Sequence, residues 1–161
     1  MPFTPFHFGL GALVKAVAPK HFSFAGFALS QVLMDVEPGY KMLTNSASDL
    51  HIITHNMAGA SVIAAVTYAV WRCWERCRPT RYKQAVISKS VLAGSCIFGS
   101  FSHVFLDGMY HVDMGFPQAQ WAIARAAFGT LSGTEALCVG FLIAGAVISL
   151  ARFAFNRRKA S

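Results

Sequence analysis

Long apolar segments with few charges restrict this chain to a helical fold. Each segment is longer than a buried strand of about 4 to 8 residues, and its Ala, Leu and Gly content suits a helix. The five segments cover residues 5–18, 22–36, 56–74, 87–106 and 131–155, and a shorter helix is predicted over residues 118–128. We therefore predict an all-α fold in a single domain over residues 1–161.

The low charge content indicates that these helices lie in a membrane. Charged residues make up 13% of the 161 residues, whereas soluble domains contain about 25%. We predict a polytopic membrane helical bundle of about five transmembrane or half-spanning helices. The net charge of +7 does not indicate nucleic-acid binding, because the basic residues form short clusters between apolar segments.

The basic residues are distributed unequally between the two ends of the helices. One set of ends holds twelve of the fourteen, and the opposite ends hold only Lys41 and Arg125. The positive-inside rule places the basic ends in the cytoplasm. The predicted topology has a non-cytoplasmic N-terminus, a cytoplasmic C-terminus, and a hairpin built from the first two segments, which are shorter than an ordinary span of about 20 residues.

Four of the segments carry a His or Asp to a similar depth. Counted from the nearest basic end at about 1.5 Å per helical residue, His7, Asp35, His55 and His103 all lie roughly 20 to 25 Å away. Ionisable groups at such depth are costly unless they pair, bind a metal or line a water-filled cavity. Their shared depth therefore predicts one polar site near the non-cytoplasmic side.

Two pairs of polar residues have the spacing of one helical turn. His51 and His55 are four residues apart in HIITH, and so are His103 and Asp107 in SHVFLDGMYH. Residues at i and i+4 share a helix face and can contact the same ion. Together with His7 and the DVE of residues 35–37, they supply enough nitrogen and oxygen ligands for zinc, as one or more ions.

Each of these signals also has a simpler interpretation. A lone His7 is more often a polar group at the start of a helix, and Asp35 and Glu37, which precede Pro38, can end one. A metal-free proton relay, or a hydrogen-bonded polar cluster, would use the same residues. The convergence of the residues at one depth favours the metal site over these alternatives.

The order of the motifs resembles that of a known family. His7, DVEP, LHIITHN and SHVFLDGMYH follow one another over residues 7–111. They resemble the early His, the DxD-like element, the motif close to HRxxTHS and the SHxxxD of the LexA-regulated, YdjM-like metal-dependent hydrolases of the bacterial inner membrane. That family is similar, more remotely, to zinc-dependent phospholipases C. The resemblance implies a location in the bacterial inner membrane and hydrolysis of phosphoesters.

The predicted function is metal-dependent hydrolysis of a lipid-borne phosphoester, such as a phospholipid, at the non-cytoplasmic side of the bilayer. The first-choice metal ligands are His7, Asp35, His55, His103 and Asp107. The second-choice ligands or acid–base groups are His51, Glu37 and His111. The alternative function is non-enzymatic handling of metal ions or protons in the membrane, and a structural membrane module without a ligand is a third. The oligomeric state is left open.

Overall fold

Helices joined by turns make up the computed structural model, which describes residues 4–44, 53–77, 87–110 and 131–160. The helices are α1 (Thr4–Val17), α2 (Phe24–Met34), α3 (Val36–Leu43), α4 (Met57–Cys77), α5 (Lys89–Tyr110) and α6 (Leu131–Ala160). No strand occurs within these ranges, so the prediction of an all-α fold is confirmed. The helix predicted over residues 118–128 lies outside the described residues.

A hydrogen-bonded cap fixes the start of α2 beside α5. The side chain of Ser23 accepts a hydrogen bond from the N–H of Gly26, as is typical of Ser in the residue before a helix. The N–H of Ser23 in turn donates to Ser95 Oγ in α5 at 2.8 Å. These two bonds set the level of α2 against the helix that carries two of the candidate ligands.

A break of one residue, Asp35, separates α2 from α3. We interpreted EPGY as the end of the second apolar segment, but these residues belong to α3. Pro38 is tolerated there because it is the third residue of α3, where the N–H group has no partner within the helix. The break matters for the site because it places an acidic residue at the junction of two helices.

Two sets of helices pack together. In the first, α2, α4 and α5 share a buried cluster of Met34, Ala60 and Val104. In the second, α1 lies against α6, and a Cβ atom at Gly9 would be only 2.0 Å from the carbonyl oxygen of Cys138. Glycine at that position allows the two backbones to approach closely.

Arg152 fixes the far end of the pair formed by α1 and α6. Its Nη1 donates hydrogen bonds to the carbonyl oxygens of Ala16 at 2.6 Å and Val17 at 3.0 Å. The last carbonyls of a helix have no partner within it, and a cation there also interacts favourably with the helix dipole. The C-terminal end of α1 is therefore held by a side chain from α6.

Two helices are long and apolar enough to cross a membrane. They are the Lys89–Gly108 part of α5 and the Gly133–Lys159 part of α6, and α1 contains a shorter apolar stretch, Phe6–Val17. Length and composition therefore support membrane association through α5 and α6. The finer prediction of a polytopic bundle with about five spanning or half-spanning helices is not confirmed.

Candidate metal centre

The candidate ligands come from three places in the fold. Asp35 occupies the break between α2 and α3, and His55 lies in the turn just before α4. His103 and Asp107 lie one turn apart on α5, as the sequence spacing predicted. The packing of α2 and α4 on α5 brings these three positions together.

Four side-chain atoms face one another at short range. His103 Nε2 lies 3.1 Å from Asp35 Oδ1, 3.2 Å from Asp107 Oδ2 and 3.2 Å from His55 Nε2. His55 Nε2 lies 3.3 Å from Asp107 Oδ2 and 3.7 Å from Asp35 Oδ1. Two ligand atoms about 2.0 to 2.1 Å from a tetrahedral zinc ion are about 3.3 Å apart. The four atoms therefore have the separations of a zinc ligand set.

Solvent reaches this group from one side. His55 and His103 are 0% exposed and Asp107 is 3% exposed, whereas the side chain of Asp35 is 29% exposed. A site enclosed on three sides strengthens electrostatic interactions within it, because little water screens them. Asp35 marks the side from which an ion or a substrate can enter.

The buried charge of Asp107 requires a cation or protonated imidazoles nearby. Among the described residues its ion-pair partners are three histidines, His7, His55 and His103, and no Lys or Arg. Burial of an unpaired carboxylate costs several kcal/mol. A divalent ion would balance the charges of Asp35 and Asp107, so this donor set fits zinc.

His7 lies beside the four atoms but is not one of them. Its Nε2 is 3.3 Å from Asp107 Oδ1, on the opposite carboxylate oxygen from the one that faces His55 and His103. Among the described residues, His7 Nε2 and Asp107 Oδ1 are buried atoms without a hydrogen-bond partner. The structure thus brings together all five first-choice residues, with His7 in contact with Asp107 and outside the four-atom group.

Glu37 lies outside the four-atom group and supports His55 through Thr54. Its carboxylate accepts hydrogen bonds from the N–H groups of Ile53 and Thr54, from Thr54 Oγ1 at 2.9 Å and from Lys41 Nζ at 2.7 Å. Burial opposes ionisation of Glu37, but these bonds outweigh it and lower its pKa to about 2. Glu37 is therefore a carboxylate at neutral pH and can only accept hydrogen bonds.

The charge of Glu37 determines which nitrogen of His55 carries hydrogen. Thr54 Oγ1 is 2.9 Å from both Glu37 Oε2 and His55 Nδ1. Since the hydroxyl donates its one hydrogen to the carboxylate, it must accept from the N–H at His55 Nδ1. The Nε2 atom of His55 then presents its lone pair to the site. In addition, burial would lower the pKa of His55, but hydrogen bonds with Asp107 and Asp35 raise it.

Gln31 is a buried contact of the site that the sequence analysis did not identify. Its Oε1 lies 2.7 Å from His103 Nδ1, and its Nε2 donates to the carbonyl oxygen of Gly99 at 2.8 Å. A glutamine in an apolar helix gives little warning of such a role. The one available signal was its spacing, since Gln31 precedes Asp35 by one helical turn.

The remaining candidates cannot be placed at the site. His51 and His111 lie outside the described residues. His21 is exposed in the turn after α1, as expected for a residue beside the basic end. Comparisons with known proteins add no independent support, since no family model, no curated protein and no solved structure matches this chain.

Proposed function

We propose that this protein is a zinc-dependent hydrolase embedded in a membrane, with a lipid-borne phosphoester as its substrate. The observation that carries the proposal is the group formed by Asp35, His55, His103 and Asp107. Their four ligand atoms lie within 4.8 Å of one another at the end of an apolar helix. Imidazole and carboxylate together are ligands typical of zinc.

Each side chain has a separate task in this proposal. A bound zinc ion would supply Lewis-acid polarisation of a phosphoryl oxygen and would acidify a water molecule. His55 and His103 offer neutral nitrogen ligands, and Asp107 offers a buried carboxylate. Asp35 lies at the solvent side, where its carboxylate can accept a proton from the attacking water. His7, next to Asp107, holds that carboxylate in place.

The position of the site supports a lipid substrate. His103 and Asp107 lie near the end of the Lys89–Gly108 stretch, which is long and apolar enough to cross a bilayer. The end of such a helix lies near the level of lipid headgroups, because the hydrocarbon core is about 30 Å thick. A phosphoester at that level would meet the solvent side of the site near Asp35.

We extend the proposal to the membrane arrangement. The protein would be a multi-pass protein of a bacterial inner membrane, with the site and the N-terminus on the non-cytoplasmic side and the C-terminus in the cytoplasm. The basic residues at the end of α6, Arg157, Arg158 and Lys159, agree with the positive-inside rule. Single cysteines at Lys41 and at Arg81, in a cysteine-free variant, should be labelled from outside intact cells only at position 41. The reverse pattern would contradict this orientation.

The number of protein ligands favours a second candidate function. Four protein ligands are typical of closed structural zinc sites, whereas catalytic sites usually keep one position open. A non-enzymatic membrane protein that handles metal ions or protons would use the same four side chains. In that case Asp35 would remain a ligand throughout and no phosphoester would be cleaved.

One experiment distinguishes these functions. The protein is purified in detergent with zinc, its metal content is measured, and hydrolysis of phosphatidic acid and phosphatidylglycerol in mixed micelles is followed by ³¹P NMR. We expect about one or more zinc ions per chain and cleavage of a phosphoester that His103→Ala abolishes and His21→Ala leaves unchanged. Zinc without cleavage of either lipid would support metal handling. Equal metal content in both variants would contradict the site itself.

A further inference from the structure

The amide of Gln31 has a fixed orientation. Its Nε2 donates to the carbonyl oxygen of Gly99 at 2.8 Å and lies 3.5 Å from Ser102 Oγ. A carbonyl oxygen can only accept a hydrogen bond, so the nitrogen of the amide must face Gly99. The oxygen of the amide then faces His103, 2.7 Å from its Nδ1.

This orientation determines the hydrogen position on His103. The amide oxygen of Gln31 is an acceptor, so the nearby Nδ1 of His103 must carry hydrogen. In a neutral imidazole, the other nitrogen then has a free lone pair. That nitrogen is Nε2, which faces Asp35, His55 and Asp107 at 3.1 to 3.2 Å. Gln31 therefore orients the lone pair of His103 toward the ion site.

The same hydrogen constrains His7. His7 Nδ1 lies 3.2 Å from His103 Nδ1, and the two rings meet edge to face with an interplanar angle of 84°. Because His103 Nδ1 carries hydrogen, His7 Nδ1 can only accept. The hydrogen of a neutral His7 must then be on Nε2, whose neighbour at 3.3 Å is Asp107 Oδ1. Neither atom has another partner among the described residues.

We infer that Gln31 is a positioning residue that makes His103 a ligand and makes His7 a hydrogen-bond donor to Asp107, not a ligand. The inference rests on the proposed metal site and divides its five first-choice residues into four ligands and one supporting donor. Metal-binding histidines commonly donate their second N–H to such a partner, and loss of the partner weakens metal affinity about 10- to 100-fold.

The first test compares variants that keep or remove the acceptor at position 31. Gln31→Met has a similar length but no oxygen, and we expect its zinc affinity to fall about 10- to 100-fold. Gln31→Glu keeps an acceptor and should stay within a few-fold of the wild type. The control is Ser30→Ala, which removes a buried hydrogen bond to Phe27 from the same helix. Equal affinities for the Met variant and the control would overturn the role of Gln31.

The second test separates a ligand from a donor at position 7. The side-chain N–H of His7→Gln can replace the imidazole donor, so this variant should bind zinc within a few-fold of the wild type. His55→Gln is the matched change at a ligand and should lose zinc binding. If both variants lose zinc equally, His7 is a ligand and the inference is wrong.

A direct readout uses the wild type alone, so it does not depend on whether variants fold. ¹⁵N NMR of the imidazoles in the zinc-loaded protein should show hydrogen on Nδ1 of His55 and His103 and on Nε2 of His7. A wild type that binds no zinc would disprove the proposed function. The same spectrum of the metal-free protein at alkaline pH, where the rings are neutral, would still test the hydrogen positions. Hydrogen on Nδ1 of His7 in either spectrum would contradict the inference.

Discussion

The two helices that could cross a membrane, α5 and α6, differ in what surrounds them. Over Lys89–Gly108 of α5, 56% of the most apolar window is buried inside the protein, compared with 11% over Gly133–Lys159 of α6. The buried helix carries His103 and Asp107. The exposed helix contributes no ligand to the four-atom group. Similar apolar composition therefore serves two purposes, one within the protein and one at its surface.

The difference follows from the neighbours of each helix. α5 has α2 and α4 on either side, and their polar side chains Gln31 and His55 contact its ligands. α6 packs mainly against α1, so large apolar side chains such as Leu142, Val147 and Leu150 are at least half exposed. Exposed apolar surface of this extent marks a membrane or protein contact. We expect α5 to respond to changes in chemistry and α6 to changes in polarity.

The largest expected effect comes from removing one charge on α5. Asp107→Asn should lower zinc affinity by at least about 100-fold, because the buried carboxylate contacts three histidines. The matched change on α6 is Glu135→Gln, near the start of that helix, and it should leave zinc affinity unchanged. Metal analysis of both proteins after identical purification provides the measurement. Equal loss of zinc in the two variants would remove the distinction between the helices.

A charge on the exposed face of α6 should prevent its insertion into a bilayer. Val147 is 59% exposed and lies near the middle of α6. Val147→Asp should cost about 2.5 to 3.5 kcal/mol if lipid surrounds this face, but only about 0.5 kcal/mol if water does. The fraction of protein extracted from membranes by alkaline carbonate measures the effect. Phe155→Asp, near the end of the helix, is the control and should have less effect.

A methyl group at the contact between α1 and α6 should force these helices apart. Gly9→Ala would place its Cβ against the Cys138 carbonyl, and overpacking of this kind costs about 1 to 3 kcal/mol. Gly140→Ala is the matched control on α6, because no atom lies within 4 Å of its Cβ position. Thermal unfolding in detergent should show a lower midpoint for the first variant only. Similar midpoints would mean that the close approach does not stabilise the protein.

The smallest effect concerns pH and Glu37. Its pKa is about 2 in the folded protein, below the ordinary value of 4.5, so the ionised form favours folding. Its stabilisation is complete above about pH 4.5 and is lost as pH falls toward 2. Glu37→Gln should therefore be less stable than the wild type by about 1 to 2 kcal/mol at neutral pH. Urea unfolding at several pH values tests this, and a difference that persists at pH 2 would contradict it.

The sequence predicted the helices better than their junctions. Apolar segments of helix length located α1, α4, α5 and α6 to within a few residues, because lipid or protein packing requires long apolar stretches. The break at Asp35 and helix α3 were missed, since an acid followed by Pro38 also matches the end of a helix. Only the packing of α2 on α5 distinguishes these cases.

The candidate site was predictable where helical spacing or shared depth applied. His103 and Asp107 at i and i+4 had to share a face, and the common depth grouped His7, Asp35 and His55 with them. The supporting contacts of Gln31 and Glu37 were not predictable, because they join residues far apart in the sequence. Their geometry depends on how α2 and α3 turn toward α5 and the residues before α4.

The contacts of Arg152 with the end of α1 also concern the opposite end of that helix. Ala16 and His7 are nine residues apart in α1, about 14 Å along a helical rod. Since a helix resists compression along its axis, the guanidinium at one end sets how far the imidazole at the other reaches toward Asp107. Arg152 thus acts as a distant depth stop, and a change there would alter the alignment of His7 without touching the site.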